Sequence, residues 1–328
     1  MAKDSILPAP PSVEGPLPSP APQAGEGAKA RIAVIGAGLM GHGIAQVFAL
    51  AGHEVTLTDA DAPTLATAKE RIRVNLTDLG DDATALARVR TSADLTDTVR
   101  DADYIVEAVR EDLDVKRKLF ADIVRAARRD AILASNTSVI PITAIMGNLA
   151  HRERALGTHW WNPPYLVPLV EVIGTEWTSP AAIAFTMQLH RDIGKTPVHV
   201  KKDVLGFVGN RLQHALWREA ISLVENGICD AETVDTVIKA AFGRRLAVLG
   251  PLENADLVGI DLTLAIHRTV LPAIDSRPGP SPYLEKLVAD GKLGMKSGEG
   301  FRTWTPAQQA ELRARVLKHL KAAREGDG

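Results

Sequence analysis

His159 and Glu171 are the residues whose types and spacing could carry proton chemistry. They sit in LGTHWWNPPYLVPLVEVI, residues 156–173, where Pro163 and Pro164 separate two apolar runs. Read as two strands joined by a wide turn centred near Tyr165, the segment sets residues equidistant from Tyr165 opposite each other, and His159 and Glu171 are such a pair. A carboxylate on one imidazole nitrogen fixes the tautomer, favours the protonated form and leaves the other nitrogen to accept a proton. Taken alone, the pair reads more readily as a surface histidine beside an acid. The elements around it decide the matter.

Residues 30–38, ARIAVIGAG, form a β-branched run ending in glycine, and Gly36-Ala37-Gly38-Leu39-Met40-Gly41 opens a helical pattern that runs to Ala51 and Gly52. Glu54 to Thr58 reads as a second strand ending at Asp59. In this order the first glycine permits a tight turn, the second lets pyrophosphate approach the backbone, and the third lets helix and strand pack closely. Gly36, Gly38, Leu39, Met40 and Gly41 are therefore candidate cofactor residues, and Asp59 is the candidate acceptor for the adenosine ribose hydroxyls. No arginine follows Asp59 immediately to neutralise a 2′-phosphate, so NAD is expected rather than NADP.

Strand and helix patterns continue to alternate: helix 62–79, strand 102–109, helix 112–128, strand 131–134, a helix around 142–149, helix 180–193 and strand 196–200. The expected fold class is α/β, a Rossmann-type doubly wound sheet, with ligands beyond the carboxyl ends of its strands. Glu107, Glu111 and Ser138 fall at or just past such ends, and Ser138 reads equally as a cap for the helix after it. From Leu205 the pattern turns helical, around 206–227, 231–243, 253–274 and 281–290. Domains are thus expected at 30–203 (NAD-binding) and 204–322 (all-helical), after a disordered Pro- and Ala-rich tail at 1–29. The tail lacks the apolar core of a secretory signal and the arginines of a transit peptide.

A net charge of −2 over 328 residues speaks against a nucleic-acid or membrane-surface partner. The single cysteine, Cys229, excludes an internal disulfide and a multi-cysteine metal site, and suits a cytoplasmic location.

With these residues in view, the chain resembles the 3-hydroxyacyl-CoA dehydrogenase family over roughly residues 31–305. The motifs that carry the resemblance are Gly36-x-Gly38-x-x-Gly41, Glu107 with Glu111, Ser135-Asn136-Thr137-Ser138, His159-Trp-Trp-Asn162-Pro163 with Glu171, GFVGNRL at 206–212, Gly250-Pro251 and Gly298-Glu299-Gly300-Phe301. The resemblance implies an NAD-binding sheet domain, a helical domain that forms a homodimer, and oxidation of a 3-hydroxyl to the 3-oxo compound. It implies His159 as the base while hydride leaves C3 for the nicotinamide, with Glu171 orienting it. Ser138 and Asn210 would hydrogen-bond the reacting oxygen, and Asn162 would place the neighbouring carbonyl. It also puts Glu111, Lys116 and Asn136 on the cofactor.

Three departures bear on the substrate. The family's usual HFFNP is HWWNP here. Asn75 and Asp82 stand near the positions of the serine and lysine that grip the CoA nucleotide. GRRLAVLGP precedes the second domain's Gly250-Pro251, and with NPPYLVPLVEV it resembles the branch that oxidises free hydroxy acids, gulonate dehydrogenase and lens λ-crystallin. Arg245, or else Arg244, could hold a substrate carboxylate through paired hydrogen bonds, and the two read equally as a surface pair at a helix end. Two other functions compete: an idle NAD-binding structural protein of crystallin type, and a β-hydroxyacid dehydrogenase-type enzyme with a lysine acid.

Overall fold

The structure, a computed structural model, describes residues 29–326. The tail expected at 1–29 lies outside the described residues except for Lys29. The chain divides into two compact units, one ending at Val204 and one beginning at Leu205.

The first unit runs β1 (Arg31–Ile35), α1 (Gly41–Leu50), β2 (Glu54–Thr58), α2 (Ala62–Leu79), β3 (Val89–Thr91), α3 (Leu95–Val99), β4 (Tyr104–Glu107), α4 (Leu113–Ala126), β5 (Ile132–Ser135), α5 (Ile142–Met146), β6 (Ala155–Trp160), β7 (Leu169–Ile173), α6 (Pro180–Asp192) and β8 (Thr196–Val200). One eight-stranded sheet takes the order β3-β2-β1-β4-β5-β6-β7-β8. Every neighbouring pair is parallel except β6 with β7. The central strands are buried throughout, as a sheet covered by helices on both faces requires. The chain reverses its direction of travel across the sheet between β1 and β4, which creates a crevice past their carboxyl ends.

Local chemistry sets several boundaries. Asp61 caps α2 by accepting from the Thr64 N–H, Pro63 fits its first turn, and Gly80 ends it in the left-handed region at φ 70°. β3 and α3 carry no periodic pattern in the sequence, because three and five residues are too few to show a period.

The second unit is helical: α7 (Gly209–Glu225), α8 (Ala231–Ala240), α9 (Pro251–Val258), α10 (Ile260–Val270), α11 (Pro282–Ala289) and α12 (Pro306–Gly326). The α12 helix was not anticipated, since its polar residues are spread around the whole circumference. Only isolated bridges, Gly294 with Glu299 and Glu299 with Thr303, add β structure among the described residues of this unit. Among the described residues no helix is long and apolar enough to cross a membrane.

His190 on α6 lies fully buried among Phe48, Tyr104 and Trp160. Its Nδ1 lies 2.7 Å from the Thr186 carbonyl, so Nδ1 carries the proton, and Nε2 has no partner among the described residues. Burial pushes its pKa down to about 4, against the opposing pull of that carbonyl. The folded state therefore binds fewer protons here than the unfolded chain, and stability falls as pH drops from about 6.5 towards 4. Urea denaturation at pH 7, 5 and 4 should show a loss that His190→Leu reduces by up to about 3 kcal/mol. An unchanged pH slope in that variant would remove His190 as the cause.

Candidate active site

The parallel register of β1, β4, β5 and β6 aligns their carboxyl ends along one edge of the sheet. The glycine loop follows β1, Glu107 ends β4, Asn136 to Ser138 follow β5, and His159 sits at the end of β6. The antiparallel β7 brings Glu171 directly opposite His159 in the ladder. The register drawn from the turn at Tyr165 is the observed one.

His159 Nδ1 lies 2.7 Å from Glu171 Oε2, and both residues are buried, at 4% and 1% exposure. A carboxylate accepts only, so Nδ1 carries the proton and Nε2 presents a lone pair. Trp161 tilts against the imidazole, with ring centroids 5.2 Å apart. The pair is therefore an enclosed, oriented base.

The turn carrying Asn162 is held from three sides. Asn136 Oδ1 accepts the Trp160 N–H at 2.9 Å, which ties β5 to the end of β6. Pro164 and Tyr165 lie against Gly43 of α1, where a Cβ would stand 2.6 Å from the Pro164 ring. Lys195 Nζ donates to the Pro164 carbonyl and, at 3.0 Å, to that of Val167, and it sits 5.4 Å from the Trp160 ring centroid. Three prolines between 163 and 168 supply no N–H, so a side-chain cation takes over as donor. Lys195 and this use of Asn136 were not read from the sequence; neither belongs to a local pattern.

The glycine loop has the geometry a dinucleotide needs. Gly36 adopts φ 99° beside the Ala108 carbonyl, and a Cβ on Gly41 would fall 1.6 Å from the Gly36 carbonyl oxygen. A Cβ on Gly38 would meet nothing within 4 Å, which is the open side that a pyrophosphate requires. Leu39 exposes its side chain, and Met40 packs on the core. Asp59 accepts from the Ala37 N–H at 2.6 Å and the Asp61 N–H at 2.8 Å, so its carboxylate is held at the loop, where the ribose diol would meet it. Gly36, Gly38, Leu39, Met40, Gly41 and Asp59 are thus placed where they could hold NAD.

At the ends of β4 and β5 lies a buried polar chain. Glu107 accepts from Lys116 Nζ at 2.6 Å, the Val109 N–H at 2.8 Å and Ser135 Oγ at 2.6 Å. The Lys116 ammonium is fully enclosed and also lies 3.4 Å from Glu111 Oε2. Glu111 Oε1 accepts from the Thr137 hydroxyl and from the N–H groups of Ser138, Val139 and Ile140. Burial alone would raise the Glu111 pKa, but the Thr137 hydroxyl, the backbone donors and Lys116 together hold it below the usual carboxylate value. Ser138 itself is exposed, on the turn that this carboxylate organises.

In the second unit, Asn210 lies in the first turn of α7, and Arg244 and Arg245 lie at the short 3-10 turn after α8. Both arginines are exposed and make no ion pair among the described residues. Asp82 caps the 3-10 turn before β3 by accepting from the Thr84 N–H and hydroxyl, and the Asn75 amide donates to Gln46. Neither presents a cation.

Removing the buried ammonium leaves two carboxylates without their counter-charge. Lys116→Met should cost roughly 3–5 kcal/mol in urea denaturation, and adding Glu107→Gln should restore part of it. A loss below about 1 kcal/mol would deny the network this weight.

Comparison with known proteins follows the same lines. Residues 31–204 match the family model described as "3-hydroxyacyl-CoA dehydrogenase, NAD binding domain", and residues 206–304 match "3-hydroxyacyl-CoA dehydrogenase, C-terminal domain". The chain is 37% identical over 298 residues to 5-formyl-3-hydroxy-2-methylpyridine 4-carboxylate 5-dehydrogenase of Mesorhizobium japonicum, covering 89% of this chain and 96% of that one. It is 39% identical over 287 residues to the mitochondrial hydroxyacyl-coenzyme A dehydrogenase of Homo sapiens, covering 82% and 90%. A solved structure of the pyridine carboxylate enzyme, described as an NAD+-dependent dismutase, matches with a TM-score of 0.84 at 36% identity over 90% of this chain and 98% of that one. That of (S)-3-hydroxybutyryl-CoA dehydrogenase from Ralstonia eutropha matches at 0.71 and 32%, over 85% and 100%. With both family models matched and the His–Glu pair buried at the sheet edge, the chain belongs to the 3-hydroxyacyl-CoA dehydrogenase family, as an NAD-dependent dehydrogenase.

Proposed function

We propose that this dehydrogenase acts on a small substrate bearing a free carboxylate rather than on a CoA thioester. One observation carries the reading most: the TM-score is 0.84 to a relative named for a pyridine carboxylate, against 0.71 to one named for a CoA thioester. The residues agree with it. Asn75 and Asp82 are engaged within the first unit and offer no cation to a nucleotide phosphate. Arg245 keeps an exposed guanidinium without an ion-pair partner among the described residues, suited to a carboxylate that can accept two parallel hydrogen bonds. Arg244 is the second choice.

In this reading His159 Nε2 takes the proton of the substrate hydroxyl, and Glu171 stabilises the imidazolium that results. Ser138 and Asn210 donate to the developing alkoxide, and Asn162 holds the neighbouring group. Bound NAD supplies the acceptor for the hydride. Glu111 and Lys116 serve the cofactor's ribose end, where Glu111 is the half-exposed member and Lys116 acts from behind it. Leu252 and Leu257 of α9 and Ile260 of α10 are 80%, 74% and 60% exposed, which supports a homodimer formed through the helical unit. Placement in the gulonate dehydrogenase and λ-crystallin branch rests on GRRLAVLGP and NPPYLVPLVEV, so gulonate belongs among the substrates to be tried. The crystallin-type alternative would leave the enclosed base without use. The β-hydroxyacid type lacks support in the matched family models.

His159→Gln should lower kcat by roughly a hundredfold or more while leaving NADH affinity nearly intact; a kcat within a few-fold of wild type would dismiss the base. A panel of free hydroxy acids, among them 3-hydroxybutyrate, gulonate and a pyridine hydroxy acid, is to be compared with 3-hydroxybutyryl-CoA. Free acids should win by kcat/KM, and Arg245→Met should lower that value for them by about tenfold or more. Preference for the thioester by orders of magnitude would end the carboxylate proposal and leave the dehydrogenase assignment intact.

A further inference from the structure

Arg71 lies in the middle of α2, where its charged neighbours Glu70 and Arg73 are exposed. Its side chain instead runs back towards the glycine loop. Nη2 donates to the Ala37 carbonyl at 2.7 Å and to that of Thr64 at 2.8 Å, and Nη1 reaches the Gly38 carbonyl at 3.4 Å. His42, one residue past Gly41 and only 6% exposed, closes the same corner: its Nδ1 lies 2.6 Å from the Gly38 carbonyl and 3.1 Å from Arg71 Nη1. A carbonyl only accepts, so the shorter contact sets the His42 proton on Nδ1, facing Gly38. The guanidinium then lies beside the ring without sharing that proton.

The peptide plane turns these contacts into a constraint on the cofactor side. In a trans peptide the carbonyl of one residue and the N–H of the next point in opposite directions. Holding the Ala37 and Gly38 carbonyls towards α2 therefore turns the N–H groups of Gly38 and Leu39 away from it. Those are loop donors of the kind that meet a pyrophosphate, and a Cβ on Gly38 would meet nothing within 4 Å. Ala37 is gripped at both ends, since its N–H goes to Asp59 and its carbonyl to Arg71. One acid and one base thus fix the segment between the first two glycines.

We propose that Arg71, seconded by His42, is a positioning residue of the pyrophosphate loop and sets the affinity for NAD(H). Its bonds to three carbonyls commit the guanidinium to the loop, so it does not serve as a ligand for a 2′-phosphate. Burial keeps the His42 pKa below the ordinary histidine value, the Gly38 carbonyl opposes this, and the Arg71 charge adds to it. A neutral His42 leaves Arg71 as the one cation that these contacts bring to the corner.

The test compares wild type, Arg71→Lys and Arg71→Met. NADH binding is read by fluorescence, ADP-ribose binding by calorimetry, and amide exchange over residues 36–44 in cofactor-free protein. Arg71→Met should weaken both ligands about tenfold, with Arg71→Lys in between and residues 36–44 exchanging faster than in wild type. The KM for NAD should rise by more than kcat falls. Unchanged ADP-ribose affinity in folded Arg71→Met overturns the proposal. Weakened binding with unaltered loop exchange also overturns it, because Arg71 would then touch the ligand directly instead of holding the loop. Should Arg71→Met fail to fold, Arg71→Lys decides on the same readouts.

Discussion

A parallel sheet whose last two strands, β7 and β8, run reversed is the constraint on which this site rests. Across an antiparallel pair, residues directly opposite share a face, and here that rule joins His159 to Glu171 in the ladder of β6 and β7. A slip of one residue would send either side chain to the other face. The sheet guards against this with Val170, Val172 and Ile173 fully buried on one strand, and Ala155, Leu156 and Trp160 buried on the other. Catalytic geometry and core packing are the same register, so neither can drift without the other.

Acid side chains organise the loops along the carboxyl edge. Asp59 takes backbone N–H groups from the glycine loop and from its own turn, and Glu111 takes three from the turn bearing Ser138. Loops of this kind have few internal bonds, and a charged acceptor gathers several donors at once, more strongly than a neutral one. The carboxylates thereby become parts of the backbone's own hydrogen-bond scheme. Lys116 offsets Glu111, together with Glu107, from within the core.

What the sequence made legible was whatever has a short period or a dense motif. β2 and α2 fall at the residues expected, Glu54–Thr58 and Ala62–Leu79, because their ends carry Asp59, Asp61 and Gly80. The hairpin register followed from the symmetric spacing about Tyr165. Arg71 and Lys195 escaped, as did the tie from Asn136 to Trp160, since each joins segments twenty or more residues apart. A lone cation on an amphipathic helix looks the same in sequence whether it faces water or a carbonyl. Only the packing of the helix against the loop separates the two cases.

The proline-rich turn between β6 and β7 has a thermodynamic consequence. Proline restricts the unfolded chain, so a turn with three of them surrenders little entropy when it becomes ordered. Lys195 and Gly43 fix it further through contacts within the chain. The mouth of the hairpin is therefore shaped by the chain's own packing. Ligand association spends nothing on building it, and the enthalpy and heat capacity of binding should report desolvation and contact instead of folding.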